Sequence, residues 1–185
     1  MSEECEKFDG FNMRNRMSSG VAMSTSEINK RDGAVVVIWD VENCNVQKNF
    51  QAEHFVSQLH CTFKKDNKTG FDIYTACNVH EKDTYVKNGL ISAEGLTVDW
   101  HEGGKDETDK RLVNALKSYI VIHNPQPEKT ELVLISGDGG FKNTLKEYVS
   151  LGFKCTLIYP KNSCKKDLKR LKNIKKMIFE EFWNN

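Results

Sequence analysis

Six consecutive apolar residues, Ala34-Val-Val-Val-Ile-Trp39, are followed at once by Asp40. A β-branched run of this kind, with no polar alternation, marks a strand buried on both faces, and such strands belong to parallel sheets covered by helices. The segments that follow fit that frame. Phe50, Phe55, Val56, Leu59 and Phe63 recur at three- and four-residue spacings, which predicts a helix. Gly70 breaks it, and residues 71–77 read as a second strand. A short helix around 81–88 leads to a third strand over 96–100. The polar loop 101–108 opens onto a helix whose Leu112, Leu116, Tyr119 and Ile120 share one face, stopped by Asn124-Pro-Gln-Pro127. Residues 131–135 predict a fourth strand, 139–151 a helix and 153–159 a fifth strand ended by Pro160. A basic helix with Leu168, Leu171 and Ile174 inward and a final extended segment over 177–182 complete the chain. Strands alternating with helices imply an α/β domain with a mostly parallel, Rossmann-like sheet and helices on both faces. The domain is expected over residues 33–185. Residues 1–32, without sustained periodicity and rich in Ser, Met, Asn and Glu, read as a flexible leader.

In such sheets, function collects at the carboxyl ends of the strands, near the point where strand order reverses. Asp40 follows the first strand, with Asn43 three residues on, and Ser136-Gly-Asp138 follows the fourth. Either aspartate alone reads as a helix cap or turn residue. Two of them on neighbouring central strands are harder to explain that way, because converging like charges are unfavourable unless a cation or proton lies between them.

The formal net charge of +1 conceals an asymmetry. Between residues 161 and 176, seven lysines and Arg170 face Asp167 alone, so the rest of the chain is acidic. That pattern suits a polyanionic partner. The apolar run at 34–39 is far shorter than the roughly 20 residues of a membrane helix. The acidic opening Met1-Ser-Glu-Glu-Cys-Glu lacks the apolar stretch of a secretory signal, so cytoplasm, or nucleus, is the expected address and no membrane partner is expected. Six cysteines, at 5, 44, 61, 77, 155 and 164, show no Cys-x-x-Cys spacing. With Cys61, Cys77 and Cys155 inside apolar segments, they are expected to be buried, reduced thiols without zinc or disulfides.

Three motifs in order, Ile38-Trp-Asp-Val-Glu-Asn-Cys44, Thr108-Asp-Lys-Arg-Leu112 and Leu134-Ile-Ser-Gly-Asp-Gly-Gly-Phe141, resemble the NYN branch of the PIN-like nucleases. Within that branch they are most similar to the NYN domains of meiosis regulator and mRNA stability factor (limkain-type) proteins. The resemblance spans residues 34–182. It implies an endoribonuclease that uses Mg²⁺ or Mn²⁺, with metal-binding acids at Asp40, Asp109 and Asp138 and with Asn43 beside the first. It departs from the family at Gly140, where many members carry a second acid, and at Thr108, where some carry another; Asp106, Glu107 and Glu42 are the acids placed to compensate.

RNA is the partner so implied, and the resemblance also admits a homodimer or protein partners in an RNA-regulating complex. Contacts to the phosphate backbone are expected from Lys105, Lys110, Arg111, Lys161, Lys165, Lys166, Lys169 and Arg170. Trp39, inside a strand, is expected in the core, whereas Trp100 and His101, at a strand end, are placed to meet a base. A haloacid dehalogenase-type phosphatase would need Asp-x-Asp where the chain has Asp40-Val-Glu42, and Gly103-Gly-Lys-Asp106 lacks the full frame of a phosphate-binding loop. The reading that competes from another class is an RNA-binding scaffold with an impaired metal site, which Gly140 favours.

Overall fold

The computed structural model describes residues 33–45, 52–63, 70–80, 84–104 and 106–183. The expected leader at 1–32, Phe50, Glu81 and Lys105 lie outside them. The uninterrupted apolar run forms β1 (Ala34–Trp39), every residue of it buried. It pairs in parallel with β2 (Gly70–Asn78) on one side and β4 (Glu131–Ile135) on the other. β3 (Leu96–His101), β5 (Lys154–Tyr159) and β6 (Lys175–Ile178) extend the sheet in the order β3-β2-β1-β4-β5-β6. All five pairings are parallel. Strand order therefore reverses between β1 and β4, beside Asp40 and Ser136.

Side-chain alternation along β1 supplies both cores. Val35, Val37 and Trp39 pack with helices α1 (Ala52–Phe63) and α2 (Thr84–Ser92) and with Phe179 and Phe182 of the C-terminal 3-10 turn. Ala34, Val36 and Ile38 pack with α3 (Glu107–His123), α4 (Lys142–Ser150) and Leu168 of α5 (Lys166–Lys169). Burial on both faces explains why β1 needs no polar alternation. On the first face Phe55 is the hub, with ring centroids 4.8 Å from Trp39, 5.2 Å from Phe179 and 5.7 Å from Phe182.

Three expectations differ from the fold. The final segment over 177–182 is extended only to Ile178, and Phe179–Trp183 closes into a 3-10 turn that seats Phe179 and Phe182 in the core. The basic helix over 161–176 is a single turn, Lys166–Lys169, and the chain then bends through Asn173, at φ 59°, into a sixth parallel strand. Leu168 and Leu171 do turn inward, and Ile174 packs against the same cluster. Cys61 is exposed, whereas Cys44, Cys77, Cys155 and Cys164 are buried free thiols. The buried positions of α1 are Ala52, Phe55, Val56, Leu59 and Phe63, and Cys61 falls on the opposite side of the helix.

Phe55→Ala should lower the unfolding free energy by about 3–5 kcal/mol, the usual cost of emptying an aromatic core site. Cys61→Ser, on the outer face of the same helix, should stay within about 0.5 kcal/mol of the parent. Urea unfolding midpoints measure both, and equal effects would show that Phe55 is not the hub of this core.

Candidate active site

Asp40 is fully buried at the carboxyl end of β1. Its backbone N–H donates to Ile135 O at 2.9 Å, and Ser136 N–H donates to Ile158 O at 3.1 Å, so the ladder continues to the sheet's edge. The carboxylate is satisfied locally. Asn43 donates from its backbone to Oδ1 at 3.1 Å and from its side chain to Oδ2 at 2.7 Å. Ser136 Oγ donates to the same Oδ2 at 2.6 Å, joining the ends of β1 and β4 through one hydroxyl. Ser136 Oγ also accepts from Asp138 N–H at 2.9 Å, which fixes the turn after β4. Ser136 thus belongs to the site; its place in Ser136-Gly-Asp138 was the signal for it.

Asp138 Oδ1 accepts from Gly140 N–H at 2.7 Å, capping the turn that leads into α4. Asp109, in the first turn of α3, comes from the other side. A Cβ added at Gly140 would stand 3.0 Å from Asp109 Oδ2 and 3.3 Å from Asp138 Oδ1. Glycine at 140 therefore leaves the space that the Asp109 carboxylate occupies, and the two acids meet across bare backbone. Gly137 is required for a different reason: a Cβ there would lie 2.9 Å from Pro160, where the loop after β5 crosses the turn.

Burial pushes the Asp40 carboxyl up, against the hydrogen bonds of Ser136 and Asn43, which lower it. Asp109 is pushed up to about 6 by burial first and then by the charges of Asp40, Asp138, Asp106 and Glu42. The expected acids thus sense one another in the folded protein. Their donor set is all oxygen, the chemistry that suits Mg²⁺ or Mn²⁺. Among the described residues, no three Asp, Glu, His or Cys side chains stand in place to enclose an ion. The acids are neighbours in donor type and charge, without a closed coordination sphere. Of the compensating acids, Glu107 is engaged by Arg111 at 2.9 Å, and Glu42 accepts from Asn78 N–H at 3.3 Å.

The basic residues divide. Lys165 lies beside the acids: its N–H donates to Gly137 O at 2.9 Å, and a Cβ on Gly139 would be 3.5 Å from its Cγ. Lys161 and Lys166 are exposed near it, as is Arg170. Lys169 Nζ donates to Lys161 O at 2.8 Å and lies over the Tyr159 ring. Lys110 is exposed on α3, whereas the Arg111 guanidinium is held by Asp99 at 2.9 Å and by Glu107. Trp39 is in the core, its Nε1 donating to Cys44 O at 2.9 Å. Of the two strand-end rings, His101 is closed to a base and Trp100 is half-buried. His101 is buried with Nε2 2.8 Å from Thr108 Oγ1, and Trp100 packs on the core.

A six-stranded parallel sheet with carboxylates gathered at its switch point defines a Rossmann-like α/β domain with an acidic edge. The NYN domain family model matches residues 34–178, and the chain belongs to that family, whose members are typically nucleases acting on RNA and generally use divalent metals. The fold is similar to that of a protein of unknown function from Vibrio parahaemolyticus, at a TM-score of 0.55 and 12% identity over 79% of this chain and 93% of that one. An isochorismatase-like hydrolase from Alkaliphilus metalliredigens is 13% identical over 82% of this chain and 98% of that one. Its TM-score of 0.41 is too low to support any inference. No curated protein matches the chain.

Crowded acids cost stability, and Asp109 carries that cost in its titration. Its folded value of about 6 lies above the ordinary 3.8, so the folded state prefers the proton, and stability is lost as pH rises between those values. Asp109→Asn removes the charge. The variant should exceed the parent by roughly 1–2 kcal/mol at about pH 7 in EDTA, after allowance for solvent screening, and should match it near pH 4. Urea midpoints at the two pH values test this; a gap that does not depend on pH would contradict it.

Proposed function

We propose that this chain is a Mg²⁺- or Mn²⁺-dependent endoribonuclease acting on single-stranded RNA. The observation that carries the reading is the approach of Asp109 and Asp138 across Gly140, beside the buried Asp40, at the switch point of an NYN domain. Asp40, Asp109 and Asp138 would hold the ion, and Asn43 and Ser136 orient the Asp40 carboxylate. When bound, the ion supplies positive charge at the phosphodiester and acidifies a water for attack on phosphorus. No protein nucleophile is then required, and the products carry 5′-phosphate and 3′-hydroxyl ends. Lys110, Lys161, Lys165, Lys166, Lys169 and Arg170 hold the phosphate backbone. Arg111, already paired with two acids, contributes less. Within the family, the motif strings ally the chain with the limkain-type domains, and cytoplasm or nucleus is where the RNA would be met. Among the described residues, no helix is long and apolar enough to cross a membrane.

A second reading, an RNA-binding scaffold with an impaired metal site, is favoured by Gly140 and by the unclosed carboxylate set. Cleavage of end-labelled single-stranded RNA separates the two. The nuclease reading expects cleavage in Mn²⁺ that stops in EDTA. It also expects Asp40→Asn, Asp109→Asn and Asp138→Asn each to lose more than the ~100-fold at the upper end for residues that only support a ligand. Near-parental, metal-dependent cleavage by any one of these variants would remove that residue from the site. Binding without cleavage by the parent would establish the scaffold.

A further inference from the structure

The basic residues continue beyond the acids onto one face of the molecule. Lys165, beside Gly139, stands at the carboxyl edge of the sheet. Lys142 begins α4 next to it and donates to Asp167 Oδ2 at 2.9 Å, tying α4 to α5 and neutralising the acid of the basic segment. The Asp167 carboxyl is held below the usual carboxylate range by Lys142 first, with Arg170 and Lys146 also contributing, so all three cations surround it. Further along the same groove, α4 and residues 170–174 form an open cleft. Lys146, Arg170 and Lys172 rim it with Ser150, and Val149, Leu171 and Ile174 are its apolar lining. Residue 174 leads into β6, whose first residue Lys175 pairs with Thr156 in the amino-terminal half of β5. The floor of the cleft at Ile174 therefore lies toward the amino-terminal side of the sheet, about four strand residues or on the order of 13 Å along the strands from the level of Ser136.

A cationic rim around an apolar floor matches one repeating unit of single-stranded nucleic acid, an anionic phosphate joined to a base with an apolar face. Three cations against the one carboxylate of Asp167, already paired with Lys142, leave a positive rim that a wholly apolar partner would not match, and a folded acidic surface would leave the floor uncovered. We propose that the cleft of Lys146, Arg170 and Lys172 is a remote subsite for an unstacked nucleotide of RNA, reached by a strand running from the acids past Lys165 and along the α4–α5 groove. The proposal rests on the ribonuclease reading for the nature of the polymer. It adds a direction and a minimum length: only a strand long enough to reach from the acids to the cleft engages both. Arg170, Lys146 and Lys172 pair with the phosphates, and the floor of Val149, Leu171 and Ile174 takes the base.

The test uses the full chain carrying Asp138→Asn, so that RNA stays intact. Fluorescence anisotropy compares oligouridylates of about 2 and about 12 nucleotides, the first too short to reach from the acids to the cleft. Adding Lys146→Glu and Lys172→Glu should weaken the long oligonucleotide at least tenfold and the short one less than twofold. The log-log salt slope for the long one should become shallower by ~0.7 for each phosphate that is no longer neutralised. Ile174→Ala should weaken only the long oligonucleotide, with its salt slope unchanged, because it removes floor and no charge. Thermal midpoints equal to the parent's show that the variants fold. Unchanged affinity for the long oligonucleotide, while the parent binds it, would overturn the subsite and leave the ribonuclease reading intact. Failure of the parent to bind RNA of either length would overturn both. Displacement of the long oligonucleotide by polyglutamate as readily as by polyuridylate would assign the cleft to an acidic protein segment and overturn the proposal.

Discussion

The hydroxyl of Ser136, bonded at 2.6 Å to the buried Asp40 carboxylate, is the interaction on which the site depends. A carboxylate taken fully out of water is costly unless its oxygens are matched by donors. Here Asn43 and Ser136 supply them, and in doing so they join the chain just after β1 to the chain just after β4. The same hydroxyl accepts from the Asp138 backbone, so the two strand ends and both their aspartates are set by one residue. Removing it would leave Asp40 Oδ2 with Asn43 alone, strip the Asp138 N–H of its acceptor and free the turn that carries Asp138, a loss greater than one ordinary hydrogen bond.

The acids meet at some expense to the fold. Asp109 faces charge from Asp40, Asp138, Asp106 and Glu42, and retains its proton to about 6. Among them Gly140 provides space in place of a further side chain, which lets Asp109 and Asp138 approach one another across it. Strain of this kind, held by a rigid scaffold, is the usual counterpart of function. Lysines begin immediately beyond the acids, with Lys165 against Gly139 and Lys142 at the start of α4. That juxtaposition lets a polyanion approach an acidic pocket.

Much of this was legible in the sequence, and for physical reasons. β1 and β4 announce themselves because central parallel strands are apolar on both faces, and their ends point to Asp40 and Asp138. Asp109 was reached through the resemblance, since acids in a first helical turn are otherwise ordinary. What could not be read depends on long-range contact. Arg111 gave no sign that Asp99, twelve residues earlier, would hold it. His101 looked like a strand-end ring available to a base, and its burial against Thr108 appears only once β3 and α3 are packed. The basic segment reads as a longer helix by periodicity. The chain leaves that helix after Lys169 because a sixth strand, Lys175–Ile178, must reach β5. The space filled by Asp109 at Gly140 is likewise a tertiary fact.

If Asp40, Asp109 and Asp138 hold a divalent cation, as proposed, the proton on Asp109 competes with it. Mn²⁺ titration followed by electron paramagnetic resonance, on the full chain without RNA, tests the proposed site directly. Binding is expected at about pH 7.5 and should weaken roughly tenfold or more by about pH 5, as Asp109 takes up its proton. Asp109→Asn should bind weakly, with much of that pH dependence gone. Failure of the parent to bind Mn²⁺ at either pH, or an affinity indifferent to pH, would contradict it.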